Sequence, residues 1–169
     1  LSSHNNWYTN SWYTIYMADT SLTEKKIGLL IWRVSNFWQS KLRNILNKFK
    51  ISLNEYLILE TLFILDDNIY FPSQTKISAF SGIDISVVSV CLKSLEYKKL
   101  IKRNIDKDNR KKAISILPLG KKLYNEIFPM IDKEESYIFD KLKNEKLNFC
   151  NLLKLILGKK IRIKAKNIL

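Results

Sequence analysis

Ser86, Val87, Ser89, Val90 and Lys93 are small, hydroxylated, methyl-bearing or cationic, and they lie close together in the chain. On one helix face they would suit a DNA major groove. Hydroxyls exchange hydrogen bonds with base edges, methyl groups meet thymine methyls, and a lysine reaches guanine or phosphate. Arg103, Lys107, Arg110, Lys111 and Lys112 follow at once, and Gln74, Thr75 and Lys76 come just before. These are phosphate-directed types, so the pattern gives one group for base edges and two for the flanking backbone.

Such residues are useful only if the chain holds them in place. Ser81-Gly82-Ile83-Asp84 reads as a turn, because Gly82 tolerates positive φ and Asp84 can cap the next helix. A helix is expected over 85–98, with Val88, Cys91, Leu92 and Leu95 on its core face. The opposite face then shows Ser86, Val87, Ser89, Val90, Lys93, Ser94 and Tyr97. Ser73 caps a shorter helix over 74–80, whose Ile77 and Phe80 are expected to pack inward. The β-branched runs 100–105 and 112–117 predict a hairpin, with the polar connection 106–111 at its tip. A merely solvated loop is the alternative for that tip.

These residues resemble the multiple antibiotic resistance regulator (MarR) family of winged helix-turn-helix transcription factors, over about 27–157. The match is carried by Ile31-Trp32-Arg33-Val34-Ser35-Asn36-Phe37-Trp38, by Ile51-Ser52-Leu53-Asn54-Glu55-Tyr56-Leu57-Ile58-Leu59, and by the recognition helix and wing ending in Arg110, Pro118 and Gly120. Asp106, Arg110, Pro118 and Gly120 fit the family's wing and following-helix signatures. Asn109, Leu117, Val90 and Lys99 stand where Asp, Thr, Arg and Gly are usual. The resemblance implies a mainly α fold with a small β-hairpin wing and long N- and C-terminal dimerisation helices. It also implies a homodimer on double-stranded DNA, and a small-molecule pocket for which Trp32, Trp38 and Tyr56 are candidates. Aromatics at helical spacing also serve as core, and that alternative stays open.

Composition agrees. The chain has 169 residues, 46% of them hydrophobic, enough to bury a core. A net charge of +13 and a pI near 9.7 favour a polyanionic partner, nucleic acid before an anionic membrane surface. Cys91 and Cys150 lie far apart, so neither a disulfide framework nor a zinc site is implied, and a reducing cytoplasm is expected. No apolar run reaches the roughly 18 residues of a membrane span.

The expected organisation is an N-terminal extension over 1–20, a dimerisation helix within 21–50 and a DNA-binding lobe over 51–118. C-terminal dimerisation helices over 119–158 and a basic tail over 159–169 complete it. Residues 1–16 lack a signal-peptide pattern and read as an upstream extension before an ordinary start at Met17. Helices are expected over 24–48, 53–65 with Ser52 as cap, 121–144 and 147–157 with Gly158 as the stop. Over 121–144, Leu123, Ile127, Ile131, Ile138 and Phe139 form the apolar side. Residues 69–71 are expected to add a very short strand beside the wing.

Enzyme chemistry has little to stand on. His4 is the only histidine and lies in the extension, and the four glycines form no phosphate loop. The carboxylate pairs have lysine neighbours and read as surface, and no cofactor or metal is called for. Cys91 on the core face reads as an inert packed thiol rather than a redox switch. The expected function is a dimeric, sequence-specific transcriptional regulator reading a pseudo-palindromic, A·T-rich operator, because Val90 weakens any guanine requirement. The alternative is a basic winged-helix scaffold for non-specific nucleic-acid or protein binding.

Overall fold

A computed structural model describes residues 26–66, 71–105 and 112–158, excepting the side chains of 104, 105 and 112. The chain divides into two compact units, 1–41 and 42–169. Helix α1 is Ile27–Leu46; up to Lys41 it lies in the first unit, and its last turn, with Leu42 and Leu46 fully buried, belongs to the second. In the first unit Ile27, Ile31, Trp32, Val34 and Phe37 of the long apolar stripe are exposed among the described residues. The helix tightens to a 3-10 turn at Asn47–Phe49 and stops at Lys50, whose φ is 54°. The expected start near residue 24 lies outside the described residues.

The second unit is built around helix α2, Leu53–Ile64. It is apolar on nearly every side, the pattern of a helix that is to be surrounded, and Leu53, Tyr56, Ile58, Leu59 and Leu62 are buried. A capping box fixes its start. The Ser52 hydroxyl accepts from Glu55 N at 3.2 Å, and the Glu55 carboxylate accepts from Ser52 N at 2.7 Å.

Helix α3, Gln74–Ser81, and helix α4, Ile85–Tyr97, follow, and the chain bends by 113° between them, within the range of helix-turn-helix motifs. Ser73 caps α3 through Lys76 N, and Asp84 caps α4 through Ser86 N. Gly82 takes φ 73° at the turn. Phe80 departs from expectation: it is 54% exposed, whereas Ile77 is fully buried. At about 100° per residue the inward face of α3 is centred between Ile77, Ser78 and Ser81, which turns Phe80 outward.

Strands β1, Ile101–Ile105, and β2, Lys112–Ile116, pair antiparallel, with Ile101 opposite Ile116 and Arg103 opposite Ile114. Beside β2 a single bridge joins Ser73 to Ala113, supported by Ile114 N donating to Pro72 O at 3.1 Å. Residues 69 and 70 lie outside the described part, and Phe71 is in no strand.

Helix α5, Pro118–Phe139, starts earlier and ends earlier than expected. Pro118 occupies the first turn, where its missing N–H costs nothing and its φ is preset. The end comes as a 3-10 stretch, Asp140–Glu145, in which Lys143 has φ 47° and cannot continue a helix. The inward face is Gly120, Tyr124, Ile127, Ile131 and Ile138, while Leu123 and Phe139 are half-buried. Helix α6, Lys146–Ile156, buries none of its residues. Gly158, at φ 66°, follows it.

Candidate nucleic-acid interface

Helix α4 has two faces of opposite character. Val88, Leu92 and Leu95 are fully buried and Cys91 is 8% exposed, so one side is locked into the core. The other side carries Ser86, Val90, Lys93 and Tyr97, all exposed and spaced i, i+4, i+7 and i+11, which lines them up along one stripe. Val87 and Ser89, also expected on this face, are half-buried on its two flanks. Tyr97, expected on this face but given no role there, completes the stripe. It is 89% exposed, seven residues beyond Val90.

The start of the helix is fixed at the first residue of that stripe. Asp84 accepts from both the backbone N and the hydroxyl of Ser86. Those bonds hold the Asp84 carboxyl below its ordinary range. Gln74 Nε2 donates to Ile85 O at 3.1 Å, so Gln74 joins α3 to α4. The Ser78 hydroxyl donates to Ile83 O at 2.7 Å and closes the turn. Thr75 and Lys76 are exposed on α3.

The far end is held by two ion pairs. Lys98 Nζ lies 2.8 Å from Glu55 Oε1. Arg103 Nε lies 3.0 Å from Glu96 Oε2, and Arg103 N donates to the same carboxylate at 3.4 Å. The Arg103 side chain is only 18% exposed, and its Nε and Nη2 make no well-aligned hydrogen bond. The charges touch, but the N–H groups are not aimed at the oxygens, so the 3.0 Å separation describes an electrostatic contact between wing and helix. Arg103 therefore faces Glu96, while its neighbour Lys102 is exposed.

Helix end and wing join through a Schellman motif. Leu100 N donates to Leu95 O at 3.0 Å and Lys99 N to Glu96 O at 2.9 Å, with Leu95 and Leu100 both buried. The motif needs a left-handed residue, and Lys99 takes φ 58°. Lys107, Arg110 and Lys111 lie outside the described residues. Lys112 contributes its backbone to the pair with Ile105.

The three candidate pocket residues fall in both units. Trp32 is 62% exposed and Trp38 half-buried on α1. Tyr56 is 1% exposed in the second unit. Its ring stacks on Tyr124 at 6.1 Å between centroids, and its hydroxyl donates to Glu60 Oε1 at 3.2 Å. A ligand would have to displace that packing to touch it. Burial first, then the Glu135 charge, pushes the Glu60 carboxyl above its ordinary range, and burial pushes up the Tyr56 and Tyr124 phenols. Burial also raises the Cys91 thiol, which disfavours the reactive thiolate. Among the described residues, no group of three or more His, Cys, Asp and Glu side chains could hold a metal, and no single helix is long and apolar enough to cross a membrane.

No protein-family model matches the chain. An uncharacterised HTH-type transcriptional regulator of Bacillus subtilis, YdcH, is 25% identical over 113 residues, spanning 66% of this chain and 77% of that protein. The DNA complex of MepR from Staphylococcus aureus superposes with a TM-score of 0.69 at 25% identity, over 80% of this chain and 97% of that one. A MarR-family regulator from Rhodococcus gives 0.68 at 19% identity, over 85% and 100%. BpsR of Bordetella bronchiseptica, whose DNA binding is regulated by 6-hydroxynicotinic acid, gives 0.72 at 18%, over 83% and 99%.

Proposed function

From the premise that this chain is a winged helix-turn-helix protein of the MarR type, we propose that it is a sequence-specific, DNA-binding transcriptional regulator acting as a homodimer. The observation that carries this reading is the two-faced α4. Its core side is fixed by Val88, Leu92 and Leu95, and its outer side presents Ser86, Val90, Lys93 and Tyr97 in one stripe. The Ser86 oxygen, its proton given to Asp84, accepts from base-edge donors, Ser89 donates or accepts there, Val87 and Val90 meet thymine methyls, and Lys93 reaches guanine or phosphate. Thr75, Lys76, Lys102 and the wing-tip cations Lys107, Arg110, Lys111 and Lys112 supply affinity through the backbone. Arg110 lies along an A·T-rich minor groove, where negative potential is concentrated.

Pairing of two copies is favoured by the apolar surface left bare on α6, where Leu147, Leu152, Leu155 and Ile156 are all at least half exposed. A two-fold dimer puts two α4 helices in successive major grooves about 34 Å apart and so reads a pseudo-palindrome. A small-molecule effector, of which Trp32 and Trp38 are the accessible candidate contacts, acts by changing that spacing. Linkage then requires DNA to weaken the effector by the same factor.

Arg110→Ala tests the reading. Each lost phosphate contact lowers the slope of log affinity against log salt by about 0.9, so a dimer loses about 1.8. An unchanged affinity and slope would remove Arg110 from the interface.

A further inference from the structure

Glu55 does two jobs at one place. Its carboxylate closes the capping box at the start of α2, accepting from Ser52 N at 2.7 Å. The same two oxygens receive Lys98 Nζ at 2.8 and 3.0 Å. Lys98 is the residue that ends α4, and its ammonium makes a third bond to Lys50 O at 2.9 Å, just before α2 begins. The ammonium of one lysine is thus spent on the segment that starts the central helix. Glu55 is 5% exposed. Burial alone would raise its carboxyl, but the bonds from Lys98, Ser52 and Ser94 outweigh that and hold it below the ordinary range.

An ion pair with a buried carboxylate and an ammonium side chain 32% exposed contributes little net stability, because desolvation and solvent screening offset most of the attraction, but it demands one geometry. The geometry it demands is the relation of α4 to α2. Val90 and Ser94 of α4 stand beside the pair, lining with Ser52, Glu55, Cys91 and Lys98 a shallow hollow of ≈ 250 Å³. The tie therefore sits next to the outer stripe of α4. At the opposite end of α4 the Gln74 to Ile85 bond fixes the other terminus.

We infer that Lys98 and Glu55 are positioning residues for DNA reading: the pair sets the orientation of α4 against α2, and with it the register of Ser86, Val90 and Lys93 on the base edges. This rests on the proposed DNA-binding function. Base contacts tolerate only small misplacements, whereas phosphate contacts from flexible lysines tolerate more. Loss of the tie therefore lowers affinity for a specific site while leaving non-specific affinity in place.

The test compares the full chain with Lys98→Met, Lys98→Arg and the double variant Glu55→Gln/Lys98→Met. Lys98→Met strands a buried carboxylate and can fail to fold. The double variant removes both charges, and the amide oxygen that Glu55→Gln introduces can still accept from Ser52 N. Two affinities are read for each folded variant, one for a duplex selected by the wild type and one for a scrambled duplex of equal length. In the double variant the ratio of specific to non-specific affinity should fall about tenfold, the loss of roughly one base contact over the whole site, with non-specific affinity within about twofold. Lys98→Arg should restore most of the ratio. The inference is overturned if the double variant keeps the ratio within about twofold, or if both affinities fall together as the folded fraction falls. Amide exchange across α4 in the free protein separates the two claims. If the wild type selects no duplex, the functional reading fails, yet exchange at 91–97 should still quicken in the double variant; unchanged exchange overturns the tie itself.

Discussion

Gly120 makes the sharpest mechanical prediction. It sits in the first turn of α5, packed against the end of the helix-to-wing connection. A Cβ built there would overlap Leu100 O, and it would lie 3.1 Å from Leu100 C and 3.0 Å from Ile116 Cγ1. Leu100 O cannot easily yield, because it accepts from Leu117 N at 2.9 Å and its residue closes the Schellman motif after α4. Gly120→Ala must then push the start of α5 away from the wing. Overpacking a core costs about 1–3 kcal/mol, and a clash with backbone rather than a side-chain tip points to the upper end. The helix-propensity gain of Ala over Gly, about 1 kcal/mol, offsets part of it. The net is a loss of about 1–2 kcal/mol, or roughly 2–8 °C in Tm for a chain of this size. Thermal unfolding followed by circular dichroism measures it. A Tm equal to or above that of the wild type would show that the close approach is not real.

Three further outcomes are expected. Lys99→Gly should raise stability by about 1 kcal/mol, because Lys99 holds a left-handed φ of 58° that glycine adopts freely; an unchanged denaturation midpoint would refute it. Glu60→Gln should raise Tm at pH 7. The carboxyl is raised in the folded protein, so its favourable contribution is full below the unfolded carboxylate pKa and lost as pH rises through the folded value. The gain should therefore shrink as pH is lowered into the carboxylate range, and a pH-independent gain would contradict the assignment. Arg103→Met should leave the salt slope of DNA binding unchanged and cost at most about 1 kcal/mol, as its pair with partly exposed Glu96 implies. A slope reduced like that of Arg110→Ala would make Arg103 a phosphate contact.

Much of this architecture can be read from residue spacing because its signals are local. Ser52, Ser73 and Asp84 each cap the helix that their sequence context announces, and Val88, Cys91, Leu92 and Leu95 fall on the core face that a 3.6-residue period requires. The β-branched runs on either side of 106–111 announced the hairpin, the resemblance to the MarR family carried the Pro118 to Gly120 pattern, and the Leu100 carbonyl beside Gly120 gives that glycine a physical reason. What spacing could not give depends on contacts that only the fold makes. Phe80 is exposed because so short a helix has one narrow inward face, whose direction only the fold decides. Tyr124 is a core residue because Tyr56 and Phe63 come to it from α2. Arg103 looks like any other wing cation until Glu96 is found beside it, and Lys98 looks like a solvated helix end until Glu55 is.

Selection of random duplexes by the full chain at two salt concentrations, followed by sequencing, tests the central claim most directly. The two-faced α4 in a two-fold pair predicts an enriched inverted repeat, A·T-rich, with half-sites about one helical turn apart and still selected at the higher salt. Tight but unselective binding at low salt that disappears at the higher salt would contradict it, and would leave only the basic surface as the source of affinity.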